Sequence, residues 1–447
     1  AAAQPHGSIA TNLAWEPPAL PAEQKLTDPI DRSPVTVITG ATVHPVSRAA
    51  IPNGVVLIEN GLIKAVGTAA EVTIPANARR VDATGKHVYP GMIDPLTSLG
   101  LVDVESINAA RDDREIGSFN PHLRSLFGMN MFSDNIPVAR ANGVTTVLTI
   151  PGTGVVRGAG SVVQLKGDTP EQAGISDRAA LVVQFPAPKG EAWEAPSLAG
   201  EATEGLVRLF RRATQYAQNP TTLHDPTQRF EVNVDPDEGV LLEAMAPAMR
   251  GEQPIIFIAT SERNIKSLLM FLDSFPKVKA VLAGANQAYF VADELAKRAI
   301  PVIIGTGLTP NDYRDDPVTG PWRLASVLRD KGVKIAFTTS FSPEGVSEIR
   351  NLPYAAARSV SFGLSQEEAL RGLTLSAAEI LGLQDRLGSL DAGKRADIII
   401  TDGDPVQIVT HVERMWIGGE ELPLASLHTQ LYWQFKNRGR NVAPPIQ

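Results

Sequence analysis

The 447-residue sequence contains no cysteine. That absence excludes disulfides, zinc–thiolate sites, iron–sulfur ligation and thiol nucleophiles together. An excess of either charge is missing too: 41 Lys and Arg stand against 49 Asp and Glu, a net charge of −8 with no block of five like charges. Nucleic acid and anionic membranes both need a basic footprint, so neither is expected as a partner. No apolar run approaches the ~20 residues of a membrane-spanning helix. Histidine is sparse, and His6, His44, His87, His122, His224, His411 and His428 form no His-x-His or His-x-x-x-His pair. Those spacings are the ones that place two imidazoles on one side of a strand or helix. Each histidine reads as solvated or locally hydrogen-bonded, with only His122 and His224 on insertions that could approach a barrel mouth.

What is present is ordinary globular material, 43% apolar and 20% charged, which excludes disorder, collagen and coiled coil for the chain as a whole. The length implies two domains or one large barrel with additions. The opening Ala1-Ala2-Ala3-Gln4-Pro5 resembles what remains when a leader ending in small residues is removed. Lack of thiols suits an oxidising compartment, so a periplasmic or secreted location is expected.

Residues 1–33 carry five prolines with little periodicity and read as an extended arm. The runs 35–38 and 54–67, the second broken by Asn60-Gly61, read as strands with a tight hairpin. Residues 396–401 and 412–419 read the same way near the other end. Neither β-rich piece could bury its apolar face alone, so 34–85 and 386–423 are expected to build one small β-sandwich domain from both chain ends. Between them, 86–385 alternates apolar strands (144–150, 180–185, 255–258, 280–282, 302–304, 334–337) with helical patterns such as 288–298 and 365–373. This pattern predicts a parallel sheet covered on both faces, and its length fits a (β/α)8 TIM-like barrel. A doubly wound open sheet is the alternative. The polar stretch 216–239 reads as an excursion, and 424–447 as a helical tail.

Common catalytic motifs are missing. No Gly-x-Ser-x-Gly elbow occurs. Pro151 to Gly160 follows a strand but has Arg157 where a dinucleotide fingerprint needs its third glycine. It reads as a loop folding over the pocket mouth, with Arg157 facing an anion in one reading. Asp112-Asp113-Arg114-Glu115 reads as a solvated loop.

Four segments in order resemble the imidazolonepropionase-like branch of the amidohydrolase superfamily. They are the hairpin Gly61-Leu62-Ile63-Lys64-Ala65-Val66-Gly67; Val81 to Lys86 running into Pro90-Gly91-Met92-Ile93-Asp94; Ala141-Asn142-Gly143-Val144-Thr145-Thr146-Val147; and Thr374 to Leu383 followed by Leu387 to Asp397. The resemblance implies a barrel whose strand ends hold one or two metal ions that activate water. The ligands it implies are a His-x-His pair, a bridging Lys or Glu, two further histidines and a late Asp. Here Leu96 and Ser98 stand at the His-x-His, Val182 near the bridging residue, Ile258 and Gly284 at the later histidines, and Ser340 at the Asp. No metal and no cofactor is therefore expected. Asp94, the remaining polar residue of that motif, reads as support for the first barrel strand. Asp94, Arg157, Thr260 and Thr339 remain as possible pocket residues.

Three functions are compatible with this pattern. One is a silent subunit assembling with a homologous metal-competent amidohydrolase, or with itself. Another is a hydrolase of C–N bonds with its metal or base unplaced. The last is a small-molecule binding protein using the barrel pocket.

Overall fold

The computed structural model describes residues 24–25, 28–190, 194–218, 236–305, 316–339, 343–436 and 438. Most of the arm 1–33 and of the stretch 216–239 lies outside them. Among the described residues, no helix is long and apolar enough to cross a membrane.

Five strands lead the chain: β1 (Val35–Val43), β2 (Ile51–Glu59), β3 (Leu62–Thr68), β4 (Arg79–Asp82) and β5 (His87–Pro90). β2 and β3 pair from Glu59↔Leu62 onward, so Asn60-Gly61 is the two-residue turn that the sequence predicts. Both turn residues have positive φ, 51° and 82°, and a Cβ on Gly61 would come within 2.9 Å of the Gly418 carbonyl oxygen. Only glycine serves there. Three late strands, β14 (Ile398–Thr401), β15 (Val412–Ile417) and β16 (Glu420–Leu422), join the same sheet in the order β16-β15-β14-β5-β1-β2-β3, with β4 on β1. β5 is the bridge, antiparallel to β14 and parallel to β1. The two chain ends thus form one hydrogen-bonded sheet domain. Its core brings Ile38, Val56 and Ile63 together with Ile398 and the fully buried Trp416.

The second sheet has eight strands: β6 (Met92–Thr97), β7 (Val144–Thr149), β8 (Val156–Gln164), β9 (Gly174–Gln184), β10 (Ile255–Ala259), β11 (Ala280–Gly284), β12 (Val302–Gly305) and β13 (Ile335–Thr338). They are neighbours in chain order, as in a TIM-like barrel. Helices such as Glu262–Asp273 lie between strands, started by Ser261 accepting from Asn264 N. Helix Gln366–Leu373 begins with a reciprocal Ser365–Glu368 capping box, which satisfies two otherwise unpaired backbone donors.

The expected all-parallel order needs correcting. β8 runs antiparallel to both β7 and β9. Only six residues join β7 to β8, too few for the crossover that returns a chain in parallel. The glycine-rich run is accordingly no loop over the mouth, because Val156 already begins β8. Gly158 and Gly160 are strand glycines in crowded places: added Cβ atoms would meet Leu123 Cβ at 2.9 Å and Ile150 Cγ2 at 3.0 Å.

Between β6 and β7 the chain makes a long excursion, 98–134. Far from being solvated throughout, it encloses a bidentate ion pair, Arg111 Nε and Nη2 to the Asp113 carboxylate, both at 3.1 Å. Both side chains are almost fully buried.

Candidate functional site

In α/β barrels chemistry sits at the C-terminal strand ends, where loops from several strands converge. The barrel interior beneath those ends is an aliphatic core. Ile93 and Leu96 of β6, Leu148 of β7, Val162 of β8, Val182 of β9, Ile256 and Ile258 of β10 and Ile303 of β12 belong to one buried cluster. The helix Leu375–Ile380 adds Ala377, Ala378 and Ile380 to it.

Leu96, Val182 and Ile258, which the family resemblance sets against three expected ligand positions, are therefore brought together inside that core. Leu96 is 0% and Ile258 1% exposed. Aliphatic side chains carry no electron pair for a metal. Ser98 is buried and its hydroxyl donates to the Ile150 carbonyl at 3.3 Å. Gly284 closes β11 with φ of 83°, and a Cβ there would approach Thr260 Cγ2 at 3.2 Å and the Ala259 carbonyl oxygen at 3.3 Å. An imidazole at this position would meet both strain and crowding. Ser340 lies outside the described residues. Among the described residues, no group of three or more His, Asp or Glu side chains could hold an ion. The side chains at Leu96, Val182, Ile258 and Gly284 do not fit the metal centre that the family resemblance implies.

Asp94 is fully buried and joins the first barrel strand to the last. Its Oδ1 lies 2.6 Å from Thr338 Oγ1, and its Oδ2 accepts from Thr339 N at 3.2 Å and Thr339 Oγ1 at 2.8 Å. Leu96 N also donates to Oδ1, at 3.1 Å. Burial pushes the carboxyl up to about 6, although each of these hydrogen bonds pulls the other way. No backbone ladder joins β6 to β13 among the described residues, so this carboxyl is the clasp of the barrel seam.

A second polar group crosses β8, β9 and β10. Arg157, 8% exposed, donates from Nη2 to Gln184 Oε1 at 2.8 Å, and Gln184 Nε2 donates to the Ile258 carbonyl at 3.3 Å. Past β11, Gln287 Nε2 donates to the Asp316 carboxylate at 2.9 Å and Tyr289 OH donates to it at 2.5 Å. Thr260 enters this knot through its carbonyl, which accepts from Gln287 N at 3.0 Å. Sequence reasoning named Arg157, Thr260 and Thr339 but missed Gln184, Gln287, Tyr289 and Asp316. None of those four belongs to a spaced motif, and only the placement of the strand ends points to them.

Of the described histidines, His44, His87 and His411 lie in or beside the strands of the sheet domain. His44 Nε2 and His87 Nδ1 face each other at 3.0 Å, stacked with Tyr89 in the sheet domain. Burial and the neighbouring His87 hold His44 down to about 4. His411 Nδ1 lies 3.0 Å from Asp402, His122 is exposed, and His6 and His224 lie outside the described residues. A cleft of about 1090 Å³ opens at the opposite face around Lys279, Pro301 and Lys334, residues that immediately precede their strands. It is not near the strand ends just described.

Comparison with known proteins agrees with this architecture. The amidohydrolase family profile matches residues 319–443. The crystal structure of an amidohydrolase from Thermotoga maritima MSB8 superposes with a TM-score of 0.74 and 28% identity, over 87% of this chain and 99% of that one. The imidazolonepropionase of Mesorhizobium japonicum is 24% identical over 413 residues, 82% of this chain and 92% of that protein.

The chain belongs to the amidohydrolase superfamily.

Within it the chain is imidazolonepropionase-like. This amidohydrolase-superfamily chain is also 24% identical over 392 residues to the amidohydrolase tasK of Hapsidospora irregularis, a match spanning 82% of this chain but 39% of that protein. The chain thus spans about two-fifths of the length of that fungal relative.

Proposed function

We propose that this chain is a metal-free, catalytically silent amidohydrolase-like subunit that assembles with a metal-dependent relative and supports it. The observation that carries the reading is the place of Leu96, Val182 and Ile258. Where hydrolases of this family would present metal ligands, this barrel has continuous aliphatic core. The strands around that core are intact, buried and free of charged residues in β10, β11, β12 and β13. A fold kept in this condition without the donor set needs another requirement, and a subunit can stabilise its neighbour by mass action without doing chemistry. The fungal relative supports the pairing, since more than half of it lies beyond the match and leaves room for another domain of this size. The cysteine-free composition suits work in the periplasm or outside the cell, and we include that location in the proposal.

A second reading rests on the polar groups at the mouth. There Arg157 pairs with Gln184, and Asp316 with Gln287 and Tyr289, so the barrel pocket has polar side chains with which to recognise a small molecule.

The test is co-expression with an amidohydrolase from the same genome that keeps its His-x-His pair. Co-purification, with a gain in the partner's activity or melting temperature, is expected. The chain alone should not hydrolyse imidazolone, N-acyl amino acid or dipeptide substrates in the presence of added Zn²⁺. Metal-stimulated C–N hydrolysis by the chain alone would establish the hydrolase reading instead.

A further inference from the structure

The cleft of about 1090 Å³ at the start of the barrel strands has no part in the function proposed above. Unequal strand lengths shape one of its walls. β9 begins at Gly174, whereas β10 begins at Ile255 and pairs with β9 only from Leu181 onward. The first residues of β9 therefore project past the start of β10. Ser176 and Arg178 stand two apart on that projection, share one face of the strand, and line the cleft. Lys279, directly before β11, and Gln384, beyond the helix Leu375–Ile380, line it as well. Leu272, Phe275, Ile300 and Leu381 give it an apolar wall.

The charges in this cleft do not cancel. Each of its three carboxylates already has a cation: Glu252 is held by Arg250, Asp273 by Arg298, and Glu379 by Lys334 and Arg371. Arg178 and Lys279 form no ion pair among the described residues. Arg178 uses one donor, Nη2, on the Ala244 carbonyl at 3.0 Å. Burial pulls its guanidinium below the ordinary value, Arg124 adds to the fall, and Asp177 and Glu243 offset it only in part. A half-buried cation in that position gains from a nearby anion. Ser176 and Gln384 make no side-chain hydrogen bond among the described residues. Two uncompensated cations and two neutral polar groups beside an apolar wall have the composition of a ligand site. We propose that this cleft binds a small organic anion, a carboxylate or phosphate monoester head on an apolar body. The head lies against Arg178 and Lys279, and the body against Leu272, Phe275, Ile300 and Leu381. A guanidinium fork suits either head, since both offer paired oxygens. The site is on the face opposite the barrel mouth, so it stands whether or not the barrel is silent.

Isothermal titration calorimetry of the full chain with octanoate, octyl phosphate and octanol tests the proposal. Saturable binding of octanoate, octyl phosphate or both is expected at one site per chain, and the tighter of the two names the head. Octanol, which has the body without the charge, should bind about tenfold more weakly or not at all. Lys279→Glu, at an exposed position, should weaken the anion about tenfold without altering the circular dichroism. Arg178→Gln, which keeps a donor for the Ala244 carbonyl, should do the same. Absence of saturable binding by either anion overturns the proposal. So does octanol binding as tightly as the anions, or anion binding that survives both substitutions.

Discussion

Asp94 in the first barrel strand and Thr338 in the last lie 2.6 Å apart, carboxyl to hydroxyl, across a seam with no backbone ladder among the described residues. The same hydroxyl is 2.5 Å from the Leu96 carbonyl oxygen. It has a single proton to give, and two acceptors compete for it. A proton on Asp94 removes the conflict, since the carboxyl can then donate to Thr338, and Thr338 to Leu96. Burial of the carboxyl favours the same form and lifts it to about 6.

The raised value makes stability depend on pH with a definite sign. The folded chain holds this proton more tightly than the unfolded one, whose carboxyl titrates near 4. The contribution is therefore complete below about pH 4 and is lost as pH rises through 6. Across that window it amounts to about 3 kcal/mol. Urea midpoints for wild type and Asp94→Asn, compared at several pH values, should diverge in this range, with the neutral variant lacking this part of the slope. Parallel curves would show that folding does not raise the Asp94 carboxyl above its unfolded value.

Trp416 is fully buried in the core that both chain ends share. Trp416→Ala is expected to cost about 3–5 kcal/mol. Removing 386–447 should expose residues 54–66 to hydrogen exchange, because β14 holds β5 and β5 holds β1. Normal protection of 54–66 in that truncation would mean that the N-terminal strands fold without the C-terminal ones.

Asp113 supplies the carboxylate that Arg111 grips inside the excursion. Asp113→Ala leaves a buried guanidinium without its bidentate partner, a change that costs about 3 kcal/mol or more. Faster hydrogen exchange over 101–134, with β9 to β12 still protected, is the expected result. Unchanged exchange there would assign the loop's order to its other contacts.

The elements with a regular period or a turn signature were legible in the sequence. Asn60-Gly61, the strand runs from 255 to 337 and Ser365 before its helix each carry a local rule that the fold obeys. Antiparallel β8 was not legible, because Val156 to Gln164 looks like glycine-rich loop until Leu123 and Ile150 are placed against Gly158 and Gly160. The Arg111–Asp113 pair was hidden for a related reason, as burial of a charge depends on how a loop folds back. At the candidate site, the apolar character of Leu96, Val182 and Ile258 was plain in the sequence, and the fold buries all three in one cluster. The Gln184 and Asp316 contacts join residues 27 positions apart to Arg157 and Tyr289, and no local pattern records such distances.

The central claim concerns the strand ends, and elemental analysis of the purified, extensively dialysed chain tests it most directly. With Leu96, Val182 and Ile258 built into an aliphatic core, Zn, Fe, Mn and Ni should all be well below stoichiometric. About one tightly held ion per chain, lost when residues at the barrel mouth are substituted, would contradict the account.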